Sequence, residues 1–244
     1  MSTTWIILKR ELRGYFSTPI GYVFIVIFLF LCGLFTFQVG KLFERDQATL
    51  EPFFIWHPWL YLFLIPAVSM RLWAEERKSG TIELLLTMPL KLSEAILGKF
   101  LAAWIFIAIS LGLTFPVVLT VQYLGDPDMG VVVTGYFGSL LMAGTFLAIG
   151  ICMSALTKNQ VVSFILAVVT CLLFILAGFD VVLNFFGAWA PAWVREAIAQ
   201  VSFLTHFNST AKGLITGPDL MFFVSLTIGW LCACGVLLEM KKAQ

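Results

Sequence analysis

The sequence predicts an all-α integral membrane protein with six transmembrane helices. Of its 244 residues, 60% are hydrophobic and 12% are charged, and the mean hydropathy is +0.98. Soluble domains carry about 25% charged residues. A helix needs about 20 apolar residues to cross the hydrocarbon core, and six stretches of this chain meet or approach that length.

We expect these spans at about residues 19–40, 53–73, 94–124, 130–157, 161–185 and 219–238. The whole chain, residues 1–244, is predicted to be one membrane domain. Three connections are longer than a turn: an external, net acidic loop at 41–52, a charged loop at 74–93, and an aromatic-rich segment at 187–218 with one amphipathic helix. Pro58 and Pro66 fall in the second span, where they weaken the backbone hydrogen-bond ladder and favour kinks.

The residue pattern of segment 1–17 predicts a short helix that lies in the membrane interface. Trp5 begins a series of apolar and aromatic residues at helical spacing, while Lys9, Arg10 and Arg13 fall on another face. Basic amphipathic helices of this kind lie in the plane of the interface. The alternative is a simple basic flank to the first span.

The distribution of basic residues predicts that both termini are cytoplasmic. With the N-terminus inside, eleven basic residues lie on the cytoplasmic side and four outside, as the positive-inside rule requires. The inner set is Lys9, Arg10, Arg13, Arg71, Arg77, Lys78, Lys91, Lys99, Lys158, Lys241 and Lys242; the outer set is Lys41, Arg45, Arg195 and Lys212.

Few residues in the spans could carry chemistry. The five cysteines have neither disulfide nor zinc-site spacing, and His57 and His206 are too few to hold a metal without further ligands. His57, beside two tryptophans, is expected at the interface. Asp180 is the carboxylate inside a predicted span, and such acids often serve a pathway. We therefore consider Asp180, with Pro58 and Pro66, as candidate pathway residues.

The sequence offers no nucleotide-binding loop. Lys99 follows Gly98, but no glycine-rich run precedes them, so the phosphate-binding pattern is missing. We expect this chain to bind no cofactor; if ATP and its Mg²⁺ drive the protein, another chain binds them. The formal net charge of +1 indicates no nucleic-acid partner.

A charged loop at residues 71–100 interrupts the apolar sequence. Its nine charges would each cost about 3 kcal/mol inside the bilayer, so the loop stays in water or at the interface. Its centre is nevertheless apolar, from Ile82 to Met88. Gly80 is predicted to cap a short helix there, and Pro89 discourages its continuation.

This short helix is apolar on more than one side. Ile82, Leu85 and Leu86 face one way, while Leu84 and Met88 face elsewhere. One side can rest on the bundle, and the other then suits a groove in a partner protein. The alternative is an interfacial helix that only completes the connection.

The stretch AEERKSGTIELLLTMPLKLSEAILGKF resembles the cytoplasmic loop of the type-2 ABC export permeases, the ABC-2 family. That pattern is an acidic-basic run, then G-T-hydrophobic-E, leucines, a proline and a distal E…GK. The opening LKRELRGYFSTPIGYVF is similar to the interfacial helix and first span of these permeases. The resemblance covers essentially the whole chain and is closest to the gliding-motility branch, with nitrous-oxide-reductase maturation permeases as siblings. The matching loop residues are Glu75, Glu76, Arg77, Gly80, Thr81, Ile82, Glu83, Leu84, Leu85, Leu86, Pro89, Glu94, Gly98 and Lys99.

The resemblance implies the type-2 ABC exporter fold in a bacterial inner membrane. Two permease subunits, identical or closely related, would pair, and each would receive a separate ATPase subunit. The short apolar helix of the loop would be the coupling helix that docks on the ATPase, with coupling residues between 75 and 89, including Met88. The substrate path would lie between protomers, lined mainly by spans two and five. An auxiliary membrane protein with a periplasmic domain is a further expected partner.

Three alternatives remain at this point. The same complex could use ATP for assembly or mechanical work on the envelope. A secondary transporter would need paired intramembrane ionisable groups and inverted repeats. An integral membrane enzyme would need clustered His, Asp or Glu at one depth.

Overall fold

We describe the protein from a computed structural model, which describes residues 3–44, 47–81, 91–187 and 191–242. All regular structure in these ranges is helical. The α-helices are α1 Thr3–Ser17, α2 Pro19–Leu34, α3 Glu51–Phe54, α4 His57–Ser69, α5 Arg71–Ser79, α6 Leu92–Gly112, α7 Phe115–Leu124, α8 Met129–Leu156, α9 Gln160–Leu176, α10 Asp180–Gly187, α11 Ala192–Gln200, α12 Phe203–Ala211 and α13 Gly217–Lys242.

Within the described residues, five helical stretches are long and apolar enough to cross a membrane. The first predicted span continues beyond α2 through a π-helix at Phe35–Val39 and a 3₁₀ turn at Leu42–Glu44. The chain is therefore a multi-pass membrane protein. The five stretches are Pro19–Glu44, Glu51–Ser79, Leu92–Leu124, Met129–Leu156 and Gly217–Met240.

The region of the predicted span 161–185 contains two helices instead of one. The helix α9 has 17 residues, at the short limit for crossing the hydrocarbon core, and α10 follows after a turn. A Cβ atom on Gly178, in that turn, would lie 2.9 Å from the Cβ of Ser202. The chain therefore bends where the outer segment packs against it, a contact that hydropathy does not encode.

The core is built around α8. This helix contacts α4, α6, α9, α12 and α13, and its second half is almost fully buried. Small residues let its neighbours approach closely, as is usual between membrane helices. A Cβ on Gly150 would lie 2.8 Å from the Cβ of Ser69, and one on Gly138 would lie 2.8 Å from the Cβ of Thr210.

The second span is interrupted twice within its described residues. The first interruption separates α3, which ends at Phe54, from α4, which begins at His57; Pro58 stands in the first turn of α4, where a missing N–H costs little. Pro66 lies inside α4, which continues past it to Ser69, so the second interruption, at Met70, falls at neither proline.

A serine of α8 satisfies the backbone groups that this interruption frees. Ser154 Oγ accepts hydrogen bonds from the N–H groups of Trp73 and Ala74, both at 3.0 Å, and donates to the carbonyl of Met70 at 2.8 Å. In the hydrocarbon region of a membrane, such backbone groups cannot form hydrogen bonds to water. One side chain therefore joins α4 and α5 to the core.

The outer segment also forms two helices where the sequence predicted one. The helix α11 is largely exposed, with Trp193 70% exposed, while α12 buries Phe203 and Phe207 against the core. A polar network attaches α12 to the start of α13. In it, His206 Nδ1 lies 2.6 Å from Asp219 Oδ1, and Thr216 Oγ1 donates to Asp219 Oδ2 at 2.7 Å.

We predict that Ser154→Ala lowers the stability of the chain by about 1–3 kcal/mol, because up to three buried hydrogen bonds are lost. Ser225→Ala is the matched control: Ser225 is exposed and bonds within its own helix to Phe222. Unfolding followed by tryptophan fluorescence in detergent should show a lower midpoint for the Ser154 variant alone. Equal midpoints for the two variants would contradict the role of Ser154.

Candidate functional site

The candidate site is the base of the charged loop, where α5 leaves the membrane and α6 returns to it. Gly80 follows α5 in the left-handed conformation, with φ of +75°, which favours glycine. Gly80 therefore ends α5. The predicted helix that Gly80 would cap lies beyond Thr81, outside the described residues, so that role stays a prediction. The hydroxyl groups of Ser79 and Thr81 lie 2.9 Å apart beside this helix end.

A second contact fixes α5 against the end of α8. Arg77 Nη1 donates a hydrogen bond to the carbonyl of Ala155 at 2.7 Å. A cationic side chain at a helix C-terminus also opposes the negative end of the helix dipole. Together with Ser154, Arg77 holds α5 at both of its ends, so this basic residue of the loop motif points into the protein.

Lys99 joins the two ends of the loop to the N-terminal helix. Its side chain is 2% exposed, and its Nζ lies 2.7 Å from Glu76 Oε1 of α5 and 3.2 Å from Glu11 Oε1 of α1. Arg10 adds a second cation, 2.7 Å from Glu11 Oε1 and 3.7 Å from Glu76 Oε1. Two acids and two bases balance the charge. We call Arg10, Glu11, Glu76 and Lys99 the charge cluster.

Aromatic rings and a close helix contact surround the charge cluster. Lys99 Nζ lies 5.1 Å from the centre of the Trp73 ring, within the range of a cation–π interaction. A Cβ on Gly98 would lie 2.8 Å from Ile7 Cγ2, so α1 can pack this closely on α6 because residue 98 is glycine. In the Gly98-Lys99 pair, the glycine thus allows α1 to pack closely on α6, and the lysine forms the ion pairs.

The pKa of Glu11 reflects its place in the cluster. Burial opposes its ionisation, but the charges of Lys99 and Arg10 and their hydrogen bonds outweigh burial, so the pKa of Glu11 lies below its ordinary value of 4.5. The carboxylate is therefore ionised at neutral pH, as the pairing with Lys99 requires.

The helix α1 has the amphipathic character that the sequence predicted. Ile7, Leu8 and Tyr15 are buried against the core, while Lys9, Arg10 and Arg13 are exposed. Trp5, which the pattern assigned to the apolar face, is 49% exposed. Exposure of this ring leaves it available to the membrane interface.

Several predicted coupling residues lie outside the described part of the chain. They are Ile82, Glu83, Leu84, Leu85, Leu86, Met88 and Pro89. Of the described members, Glu75 is exposed and Glu76 and Arg77 are held by the contacts above.

The candidate pathway residues do not meet in one described site. Pro58 and Pro66 are buried in α4. Asp180 is the first residue of α10, at the end of the turn that follows α9. Their role in a pathway stays a prediction.

The two histidines are far from equivalent in their surroundings. His57 is fully buried among Phe53, Phe54 and Tyr61 and donates Nδ1–H to the carbonyl of Phe53 at 2.9 Å. Its position at the depth of the membrane interface stays a prediction. His206 belongs to the outer polar network. Among the residues that the structure describes, no three His, Cys, Asp or Glu side chains form a group that could hold a metal ion.

Sequence reasoning missed Glu11 and Ser154 as site residues. Glu11 carried a signal: it lies three residues after Leu8 and four before Tyr15, on the buried face of an otherwise basic helix. A carboxylate on that face needs a buried cation. Ser154 is a small polar residue in a long apolar span, and nothing near it in the sequence marks it.

These features define a class of protein: a multi-pass membrane protein whose N-terminal helix and second and third spans meet at the base of one charged loop. The family model of the ABC-2 family transporter proteins matches residues 5–209. The chain therefore belongs to the ABC-2 transporter family. Its members are transport membrane subunits that are not themselves catalytic and that associate with an ABC ATPase subunit. A comparison with curated proteins gave no match.

We predict that Lys99→Met destabilises the chain by about 3–5 kcal/mol, because Glu11 and Glu76 lose their buried partner. The triple variant Glu11→Gln, Glu76→Gln, Lys99→Met should recover most of this loss, since no buried acid then lacks a cation. Lys78→Met, at an exposed position of α5, is the control. Thermal midpoints of the purified chain measure the effect, and a Lys99 variant as stable as the control would count against the cluster.

We also predict that the cluster weakens in acid. Since the pKa of Glu11 is lowered in the folded chain, its contribution to stability is present above pH 4.5 and is lost as the pH falls through the folded value. Glu11→Gln should therefore flatten the fall of the thermal midpoint below pH 4.5. Glu44→Gln, at an exposed acid, should keep the wild-type profile; a Glu11→Gln profile parallel to the wild type would show that Glu11 is not responsible.

Proposed function

We propose that this chain is the transmembrane subunit of an ABC transport complex, and that residues 75–89 couple it to ATP hydrolysis in a separate ATPase subunit. Membership of the ABC-2 family supports the presence of such a partner. ATP and Mg²⁺ bind to that partner, and this chain carries the translocation path.

The observation that carries the coupling proposal is the charge cluster at the loop base. A force applied to the loop can reach the spans only through the helices that contact the loop base. Glu76 on α5 and Lys99 on α6 are joined at 2.7 Å, and Lys99 also holds Glu11 of α1. Both ends of the loop and the interfacial helix therefore move as one unit when the loop is displaced.

The route from the loop to the core is also short. The helix α5 bonds to α8 through Ser154 and Arg77, and α8 contacts most of the other spans. A displacement of α5 reaches the centre of the protein through these contacts.

The remaining parts of the proposal follow from the family resemblance. Two permease subunits pair, identical or closely related, in the six-span type-2 exporter fold, with the path between them lined by spans two and five. Both termini face the cytoplasm of a bacterium, and an auxiliary membrane protein with a periplasmic domain completes the complex. We place the chain nearest the gliding-motility branch, where ATP could equally serve envelope assembly or mechanical work.

The decisive experiment is co-purification with the ATPase subunit. The double change Leu85→Asp and Leu86→Asp places two charges in the apolar part of the loop, where a protein groove cannot accept unpaired carboxylates. We expect at least about a tenfold loss of co-purified ATPase, equivalent to about 1.4 kcal/mol. ATP hydrolysis by the complex in proteoliposomes should fall in parallel.

Leu214→Asp provides the matched control, because Leu214 is 62% exposed in the turn between α12 and α13. This variant should bind the ATPase as the wild type does. Full assembly and coupled hydrolysis by the Leu85, Leu86 variant would refute the coupling role.

A further inference from the structure

A polar cavity and an apolar groove meet at the inner end of the first two spans. The polar cavity, of about 260 Å³, is lined by Glu11, Tyr15, Arg71, Glu75 and Glu76 among others. The apolar groove, of about 200 Å³, runs along α2 and α4. Tyr15 and Arg71 line both, so the two spaces share a wall.

The groove is a surface suited to an acyl chain. Its walls include Ile20, Val23, Ile27, Leu64 and Ala67, and Ile20 and Val23 are more than half exposed. These residues belong to two membrane-spanning stretches, so the groove opens at the depth of lipid tails.

Two cations line the polar cavity, and one of them has no acid partner among the described residues. Lys99 pairs with Glu11 and Glu76, whereas Arg71 takes part in none of the salt bridges found there. Its guanidinium instead lies over the Tyr15 ring, 4.9 Å from the ring centre. A guanidinium that lines a cavity next to the membrane suits a phosphate group, which it can bind through two parallel hydrogen bonds.

The same cavity also carries acceptors that lack a donor. Glu76 uses Oε1 for Lys99, but its Oε2 is buried and has no hydrogen-bond partner among the described residues. Glu75, one residue earlier, is exposed and lines the same cavity. A buried carboxylate oxygen without a donor is costly, so an ammonium group in the cavity would be stabilised there.

We propose that this composite site binds a phosphatidylethanolamine molecule of the adjacent leaflet. Arg71 takes the phosphate, Glu75 and Glu76 take the ammonium, and one acyl chain occupies the groove along α2 and α4. A primary ammonium donates hydrogen bonds that a choline headgroup cannot, and a glycerol headgroup lacks the cation. The site therefore selects ethanolamine over choline and glycerol phospholipids. A second copy of the chain would cover the groove but would leave the charges of the cavity unexplained.

The test uses native mass spectrometry and thermal shift on the purified, delipidated full chain. Phosphatidylethanolamine, phosphatidylcholine and phosphatidylglycerol with identical acyl chains are the probes. We expect a retained one-to-one adduct and a raised midpoint with phosphatidylethanolamine, with binding about tenfold weaker for the other two lipids, as the loss of one charged hydrogen bond predicts.

Three headgroup variants, one groove variant and a control separate headgroup recognition from general lipid association. Arg71→Gln and Glu75→Gln should each lose about tenfold in phosphatidylethanolamine binding. Arg71→Lys, which keeps the charge, should retain more of it than Arg71→Gln. Ala67→Phe fills the groove without changing a charge and should also lose binding, so the proposal stays testable if the arginine variants do not fold. Lys78→Gln, at an exposed site on α5 outside the cavity, is the control and should bind as the wild type does.

Two outcomes would overturn the proposal. Equal binding of all three lipids, unchanged in the variants, would mean that lipid contacts here are unspecific. Absence of an adduct together with disulfide cross-linking of Val23→Cys between two copies would make the groove a subunit interface. The coupling experiment with Leu85 and Leu86 measures assembly with the ATPase subunit, so its result is independent of the lipid-binding experiment.

Discussion

The hydrocarbon core of a membrane has no water to satisfy backbone groups, and the rest of this structure depends on how one interruption of a span meets that constraint. The helix ladder of span two is broken at Met70, and Ser154 Oγ binds the carbonyl of Met70 and two N–H groups of the next turn. This side chain satisfies backbone groups at the junction of α4 and α5. The attachment of α5 to α8, and with it the base of the loop, depends on that contact.

The charge cluster is the second element, and it gives the loop base a fixed form. A lysine that is 2% exposed would be costly without acids, and both acids come from other helices. Because Lys99 of α6 pairs with Glu11 of α1 and Glu76 of α5, and Arg10 of α1 also approaches Glu76, none of the three helices can shift alone without separating opposite charges. Buried ion pairs of this kind add little to the free energy of unfolding, but they fix how the three helices are arranged. A part that transmits force needs such an arrangement more than it needs a large free energy of unfolding.

Much of the fold could be predicted from hydropathy and local chemistry, but the site could be predicted only in part. Apolar length located the five described stretches long enough to span a membrane, and Pro58 marked the interruption before α4, because these signals are local; Pro66 lies inside a helix that continues past it. The position of the break at Met70 depends on Ser154, 84 residues away, so no local pattern contains it. Gly80 shows the same limit: no local pattern indicated that it would end α5, which its φ angle of +75° shows. The burial of Lys99 was hidden because its partners are separated from it by 88 and 23 residues.

Those sequence separations have a consequence for how the protein is made. Glu11 leaves the ribosome first, Glu76 follows after two spans, and Lys99 comes last, at the start of the third span. During synthesis the two acids must therefore remain hydrated, or pair with Arg10, until the third span begins to insert. The loop gains its fixed base only when the membrane has accepted three spans. The charge cluster can therefore form only after the third span has inserted. A chain whose third span fails to insert has the loop, but Lys99 does not join the two ends of that loop.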